Sequence, residues 1–178
     1  NPNSMAYKCD RLGGYKGAID YWGHTTTEEA CDIFAIANGV KKFSYSHMRH
    51  CPSRGMLNNF KHIDPYHDYC EHCKIIYSRV LEKYGVVYER DHSKIDNAEC
   101  SSILYEKDNP PDFDFRNITE EDIERFKNDP DVVISDITRE GKKYLHRDFH
   151  LLGDNALKYC GEKFGDESIV EFLTEYAK

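Results

Sequence analysis

Two runs of β-type residues, "VVYERDHS" at 86–93 and "ECSSILYEK" at 99–107, stand on either side of the turn-forming "KIDNA". Short β-branched and aromatic runs around a turn spell an antiparallel hairpin, with Cys100 on its return strand. The hairpin commits the middle of the chain to an antiparallel sheet. Other segments join it by the same signals. In "VKKFSYSH", Val40, Phe43 and Tyr45 come close to alternation and the run ends at the turn "CPSRG"; "DVVISDI" reads as a further strand closed by "REG".

Helix signals lie between these strands. Thr26 and Glu29 form a Thr-x-x-Glu capping box ahead of Ala30, Ile33, Phe34 and Ala37, and Gly39 supplies a stop, so a short amphipathic helix is predicted there. Asp64 and Pro65 read as a cap and first turn for a helix that runs to Tyr84 and ends at Gly85. Along it Tyr66, Cys70, Cys73, Tyr77, Val80 and Tyr84 share one stripe, which turns both thiols toward the core or a pocket wall and leaves His67 and His72 on the flanks. Thr119 with Asp122 caps "TEEDIERFKN", and residues 143–178 read as two helices broken at Gly165 and capped again at Asp166.

The expected fold is therefore α+β, a small antiparallel sheet covered by helices in a single compact domain over residues 1–178. Within it the proline-broken "DNPPDFDF" would separate sub-lobes 1–108 and 117–178.

Composition narrows the function. The chain has 178 residues, 39% hydrophobic and 31% charged, which is globular rather than disordered. Its net charge of −8 sits mostly in residues 61–178, an acidic body that repels a phosphate backbone, so nucleic acid is excluded as a partner. No apolar run reaches the length of about 18 residues that a spanning helix needs, and the first ten residues lack a signal peptide's apolar core. Seven cysteines, an odd number without an export signal, argue against a disulfide framework and for a reducing, cytoplasmic setting. A small molecule is the expected substrate, and assembly into a homo-oligomer is left open.

The chemistry concentrates in "DPYHDYCEHCKIIY", residues 64–77. His67, Cys70 and Cys73 are soft or borderline donors at i, i+3 and i+6, but a structural zinc site needs four ligands. His146 and His150, at i and i+4 in "LHRDFHLLGD", are the candidates to complete one, or to act as acid and base. Under this alternative reading Zn or Fe would be held by Cys70, Cys73, His67, His146 and His150; under the first reading no cofactor is needed. Arg147 occupies the place where a zinc protease needs Glu. A thioredoxin-like exchange is disfavoured, because there the first Cys opens a helix directly after a strand. Cysteine is also one of the most buried residue types, and Cys9, Cys31 and Cys160 are read as core. "SHMRHCP" adds His47, His50 and Cys51 as a second-rank cluster, on a loop after a strand.

Taken together, "YCEHCKIIYSRVLEKYGV", the 86–107 hairpin and "LHRDFHLLGDNALKYCGEKFGDESIVEFLTEYA" resemble the L-2-amino-thiazoline-4-carboxylic acid hydrolase family over residues 65–106 and 143–178. The resemblance sets Cys100 at the family-like strand cysteine, while the first 60 residues match nothing in it. It implies hydrolysis of a C–N or C=N bond in a small sulfur-containing or cyclic amino-acid derivative. Thiolate attack with histidine as base and acid would do this, as would a metal-bound hydroxide. Cys70, Cys73, Cys100, His146 and His150 are the expected catalytic set, in a site between the 65–84 helix and the 143–162 helix.

Overall fold

A computed structural model describes residues 4–28, 31–59, 66–138 and 147–176, with the backbone alone at 24–28, 147–155, 172, 175 and 176. The chain forms two compact units, residues 1–143 and 144–178. Unit one carries helices α1 (Met5–Leu12), α2 (Gly14–Glu28), α3 (Pro52–Asn59), α4 (Glu71–Glu82) and α5 (Glu120–Lys127). Its strands are β1 (Asp32–Asn38), β2 (Phe43–His50), β3 (Val86–Asp91), β4 (Cys100–Glu106) and β5 (Val132–Ile137). They form one antiparallel sheet in the order β3-β4-β2-β1-β5. The α+β class is as expected.

The β3–β4 hairpin is the one read from the sequence, with Tyr88 opposite Leu104 and Arg90 opposite Ser102. Because side chains alternate across a strand, Tyr88, Arg90, Cys100, Ser102 and Leu104 share one face, and Ser101 and Ile103 share the other. The first face packs Tyr88, Leu104 and Val86 against Cys9 of α1, Tyr15 and Ala18 of α2 and Leu81 of α4. The second packs Ile36, Phe43, Tyr45 and Ile103 against Phe115 and Phe126. The "DNPPDFDF" segment thus sends Phe113 and Phe115 into this second core, while β5 beyond it pairs with β1 along Ile33–Asn38.

The predicted helix over Ala30–Ala37 is a strand instead. "DIFAIAN" is β1, hydrogen-bonded on both sides by β2 and β5. An apolar run this short fits a helical stripe or a buried strand equally, and two flanking ladders decide for the strand. Thr26 belongs to the last turn of α2, not to a helix start. "CPSRG" opens α3, with Pro52 at its first position, where its missing N–H loses nothing. The turn from β1 to β2 is held by the fully buried Asn38, whose side-chain Oδ1 accepts from the Val40 and Lys41 backbone N–H groups at 2.9 and 2.7 Å. Gly17 lets α2 lie against α1: a Cβ there would run into the Lys8–Cys9 backbone.

The Thr119–Asp122 capping box is present in full. In unit two, α6 (Arg147–Phe164) and α7 (Asp166–Tyr176) are the two closing helices, separated at Gly165 with φ +88°. No helix among the described residues is long and apolar enough to cross a membrane.

Candidate functional site

On the helix-covered face of the sheet lies a cavity of about 160 Å³ in which four elements converge. The start of α4 supplies Cys70, His72 and Cys73; the start of α3 supplies Cys51 and Arg54; β3 and its exit supply Arg90 and His92; β4 supplies Cys100. Cys70, Cys73 and Cys100, separated by up to thirty positions in sequence, therefore line one space. A neighbouring cavity of about 200 Å³ shares Trp22, Met48, Arg90 and Cys100 with it.

Helix α4 begins six residues later than the Asp64–Pro65 signal implied; residues 60–65 lie outside those described, and Tyr66–Cys70 form turns. Cys70 is thus the N-cap and Cys73 sits in the first turn. The predicted stripe holds from Cys73 on, with Tyr77, Val80 and Tyr84 on the core, but Tyr66 is exposed. The late start gives His72 a new role. Its ring Nδ1 is hydrogen-bonded to the Tyr69 carbonyl, which can only accept, so Nδ1 carries the proton. Nε2 then offers its lone pair to the Cys73 thiol, 3.2 Å away. A thiol, an imidazole nitrogen able to accept its proton and a carbonyl that fixes the imidazole tautomer are thus hydrogen-bonded in succession.

The thiols are held protonated. Burial pushes Cys73 up to about 11, the other thiols add to the rise, and Arg90 opposes it. Burial also raises Cys51 and Cys70. A helix N-terminus usually depresses a thiol, but burial wins here, so a standing thiolate of the exchange type is not what these cysteines supply.

Arg90 crosses the cavity wall. Its Nη1 donates to the Tyr88 hydroxyl at 3.0 Å and its Nη2 to the Cys100 sulfur at 2.6 Å. Burial works against its charge, but its pKa is still raised, and it is a cation at every ordinary pH. Arg54 is 9% exposed; its backbone N–H donates to Cys51 Sγ at 3.5 Å, and its Nη2 lies 3.6 Å from the Asp96 carboxylate. His92 ties the end of β3 to α4 through Nδ1, 2.9 Å from Glu71 Oε1.

The remaining sequence candidates fall elsewhere. His67 points into solvent beside Asp68, 3.0 Å away, with 76% of its side chain exposed, and takes no part in the cavity. His146 lies outside the described residues; His150 is in α6, with its side chain outside the description. The expected meeting of those imidazoles with the thiols therefore lies outside the described residues. Among the described residues no three His, Cys, Asp or Glu side chains are arranged to hold a metal ion. The "SHMRHCP" cluster divides across the sheet. Cys51 joins the thiol cavity, whereas His47 faces a cavity of about 420 Å³, with Nδ1 3.0 Å from Ser101 Oγ and Nε2 3.4 Å from Glu99.

Sequence reasoning did not place Arg54, Arg90 or His92 beside the thiols and left His72 on a flank. Arg90 was within reach, since period-2 alternation from Val86 and Tyr88 carries it onto the buried face. Arg54 and His92 give no local signal, because only the meeting of α3 with the 92–98 turn buries them. Compared with protein-family models, with curated proteins and with solved structures, the chain has no match.

Proposed function

We propose that the chain is a small-molecule hydrolase that opens a C–N or C=N bond of a small cyclic or sulfur-containing amino-acid derivative, with Cys73 as nucleophile and His72 as general base. The Cys73–His72–Tyr69 alignment is the observation that carries this reading. Support also comes from the resemblance of the 65–106 and 143–178 segments to the L-2-amino-thiazoline-4-carboxylic acid hydrolase family. Of the three candidate cysteines, Cys73 is the attacking sulfur rather than Cys100, because Cys100 already accepts a hydrogen bond from Arg90, while Cys73 has a base within reach.

The chemistry runs in two additions. As Cys73 Sγ bonds to the electrophilic carbon, its proton passes to His72 Nε2, the C=N π electrons move to nitrogen, and that nitrogen takes the proton back from His72. The tetrahedral adduct at the amidine-like carbon expels the substituted nitrogen as an N–H, with a proton relayed by His72 from the remaining amino group, and leaves a C=N thioimidate on Cys73. Water, deprotonated by the same imidazole, adds to that carbon; the adduct collapses to a carbonyl, and the expelled Cys73 sulfur takes its proton back from His72. A thiol held near 11 does not attack unaided, so the base is needed during bond formation. Tyr69 holds the imidazole tautomer through its carbonyl and is a positioning residue.

The test is direct: incubate the full chain with L-2-amino-thiazoline-4-carboxylic acid and follow ring opening by NMR. Turnover by the native chain that disappears in His72→Asn, with the fold intact by circular dichroism, supports the assignment. Absence of any turnover speaks against this substrate class.

A further inference from the structure

Four buried polar atoms around the thiol cavity have no hydrogen-bond partner among the described residues: Arg54 Nε and Nη1, Arg90 Nε and His92 Nε2. All three side chains line the same cavity. Buried guanidinium N–H groups are nearly always satisfied, because stripping water from them without replacement is unfavourable. Arg54 is the most telling. It is 9% exposed, its one carboxylate neighbour among the described residues reaches only Nη2, and that neighbour, Asp96, has a side chain 95% exposed.

Among the described residues the charge around these donors is one-sided. Glu71 holds His92 Nδ1, and Glu99 faces Lys94 and His47 at 2.9 and 3.4 Å. Cys51, Cys70 and Cys73 are neutral at ordinary pH, their thiols raised by burial. The side chains of Arg54, Arg90 and His92 border one space of about 160 Å³, and each keeps a buried donor or ring nitrogen without a partner among the described residues.

We propose that Arg54 and Arg90 form an oxoanion subsite in this cavity, with His92 Nε2 as a third polar contact, so that the molecule bound beside Cys73 is a small anion. Charged guanidinium N–H groups donate strongly to the oxygens of a carboxylate and equally to those of a phosphate or sulfate, and here Arg54 Nε and Nη1 and Arg90 Nε are the donors without a partner among the described residues. The cavity is well below the roughly 300–1,000 Å³ that holds drug-sized ligands, so the occupant is no larger than a small metabolite. The chain's net charge of −8 disfavours an extended polyanion. This inference deepens the proposed function, on which its placement beside a nucleophile rests: the anionic group would anchor the substrate while its reacting carbon meets Cys73.

The test uses the full chain and two probes, acetate and inorganic phosphate. Each is titrated while alkylation of Cys73 by neutral iodoacetamide is followed by peptide mass spectrometry. Saturable protection by at least one probe is expected. Protection by acetate identifies a carboxylate site, and protection by phosphate alone identifies a phosphoryl or sulfuryl one. Arg54→Gln should weaken protection about tenfold or more, as loss of a charged fork does. Arg54→Lys, which keeps charge and bulk but not the fork, should weaken it measurably and serves if the glutamine variant fails to fold. Arg49→Gln, whose guanidinium bonds Asp32 and Asp136 on the other face, should leave protection unchanged. No saturable protection by either probe, or equal protection in a folded Arg54 variant, overturns the subsite. Saturable protection together with full turnover in Cys73→Ser would keep the subsite and remove the proposed nucleophile. Turnover that depends on Cys73 without oxoanion protection would do the reverse.

Discussion

Cys73 Sγ lies 3.2 Å from Nε2 of His72, its neighbour in the chain. Adjacent residues on an α-helix project about a hundred degrees apart and do not normally face each other. The contact exists because both residues stand in the first turn of α4, where the preceding Tyr69 is in a turn and its carbonyl draws Nδ1 back across the helix start. A helix beginning at Pro65 would have placed the same two side chains in mid-helix and apart.

His72→Asn is expected to lower turnover of a Cys73-dependent substrate by about 10²–10⁴-fold, the usual contribution of a positioned base. Thermal stability should barely move, because His72 is exposed. The check is steady-state kinetics beside a melting curve. A loss in kcat with KM preserved marks a role in bond formation.

The buried thiols set a pH dependence. Cys73 ionises near 11 in the fold against 9.0 for the free group, so below 9.0 both folded and unfolded chains hold this proton and its contribution to stability is fully present. As pH rises from 9.0 toward 11 the unfolded chain loses the proton first, and stability falls. Cys51 and Cys70, also raised, act in the same direction. Urea denaturation at several pH values should show a declining midpoint over this window, less steep in Cys73→Ser.

Removing the positive charge of Arg90 should raise Cys73 further, since that charge is what opposes the burial effect. In Arg90→Met, alkylation of Cys73 at constant pH should slow, and Cys100 should lose the donor that now meets its sulfur at 2.6 Å. Peptide-resolved alkylation rates report both sites in one experiment.

Ile103 is 1% exposed on the opposite face of β4 from Cys100. Ile103→Ala is expected to destabilise the fold by about 2–5 kcal/mol through lost burial and an incompletely filled cavity. Thr119→Ala, which removes one half of the α5 capping box, should cost about 1 kcal/mol. Neither touches the thiol cavity, so oxoanion protection of Cys73 should persist in both below their melting points.

Local signals in the sequence reached the hairpin, the α5 cap and the Gly165 break, because each is written in residues next to one another. The helical stripe put Cys70 and Cys73 on one wall and the hairpin put Cys100 on its return strand, while the grouping of Cys100 with them came from the family resemblance. Local signals failed at "DIFAIAN", where a five-residue apolar run carries no period of its own and long-range pairing with β2 and β5 settles the outcome. They failed again at the cavity's cations. Arg54 is buried by the packing of α3 on the 92–98 turn, where the Cys51 N–H donates to the Ala98 carbonyl at 2.7 Å, a contact across 47 positions that no local pattern encodes. His72 was misplaced by a helix start that a strong Asp-Pro signal put too early.

The most direct measurement is turnover of L-2-amino-thiazoline-4-carboxylic acid by Cys70→Ser, Cys73→Ser and Cys100→Ser side by side, with each fold verified. The account predicts that Cys73→Ser alone abolishes ring opening, while the other two retain it. Ring opening at the native rate in a folded Cys73→Ser chain would contradict it.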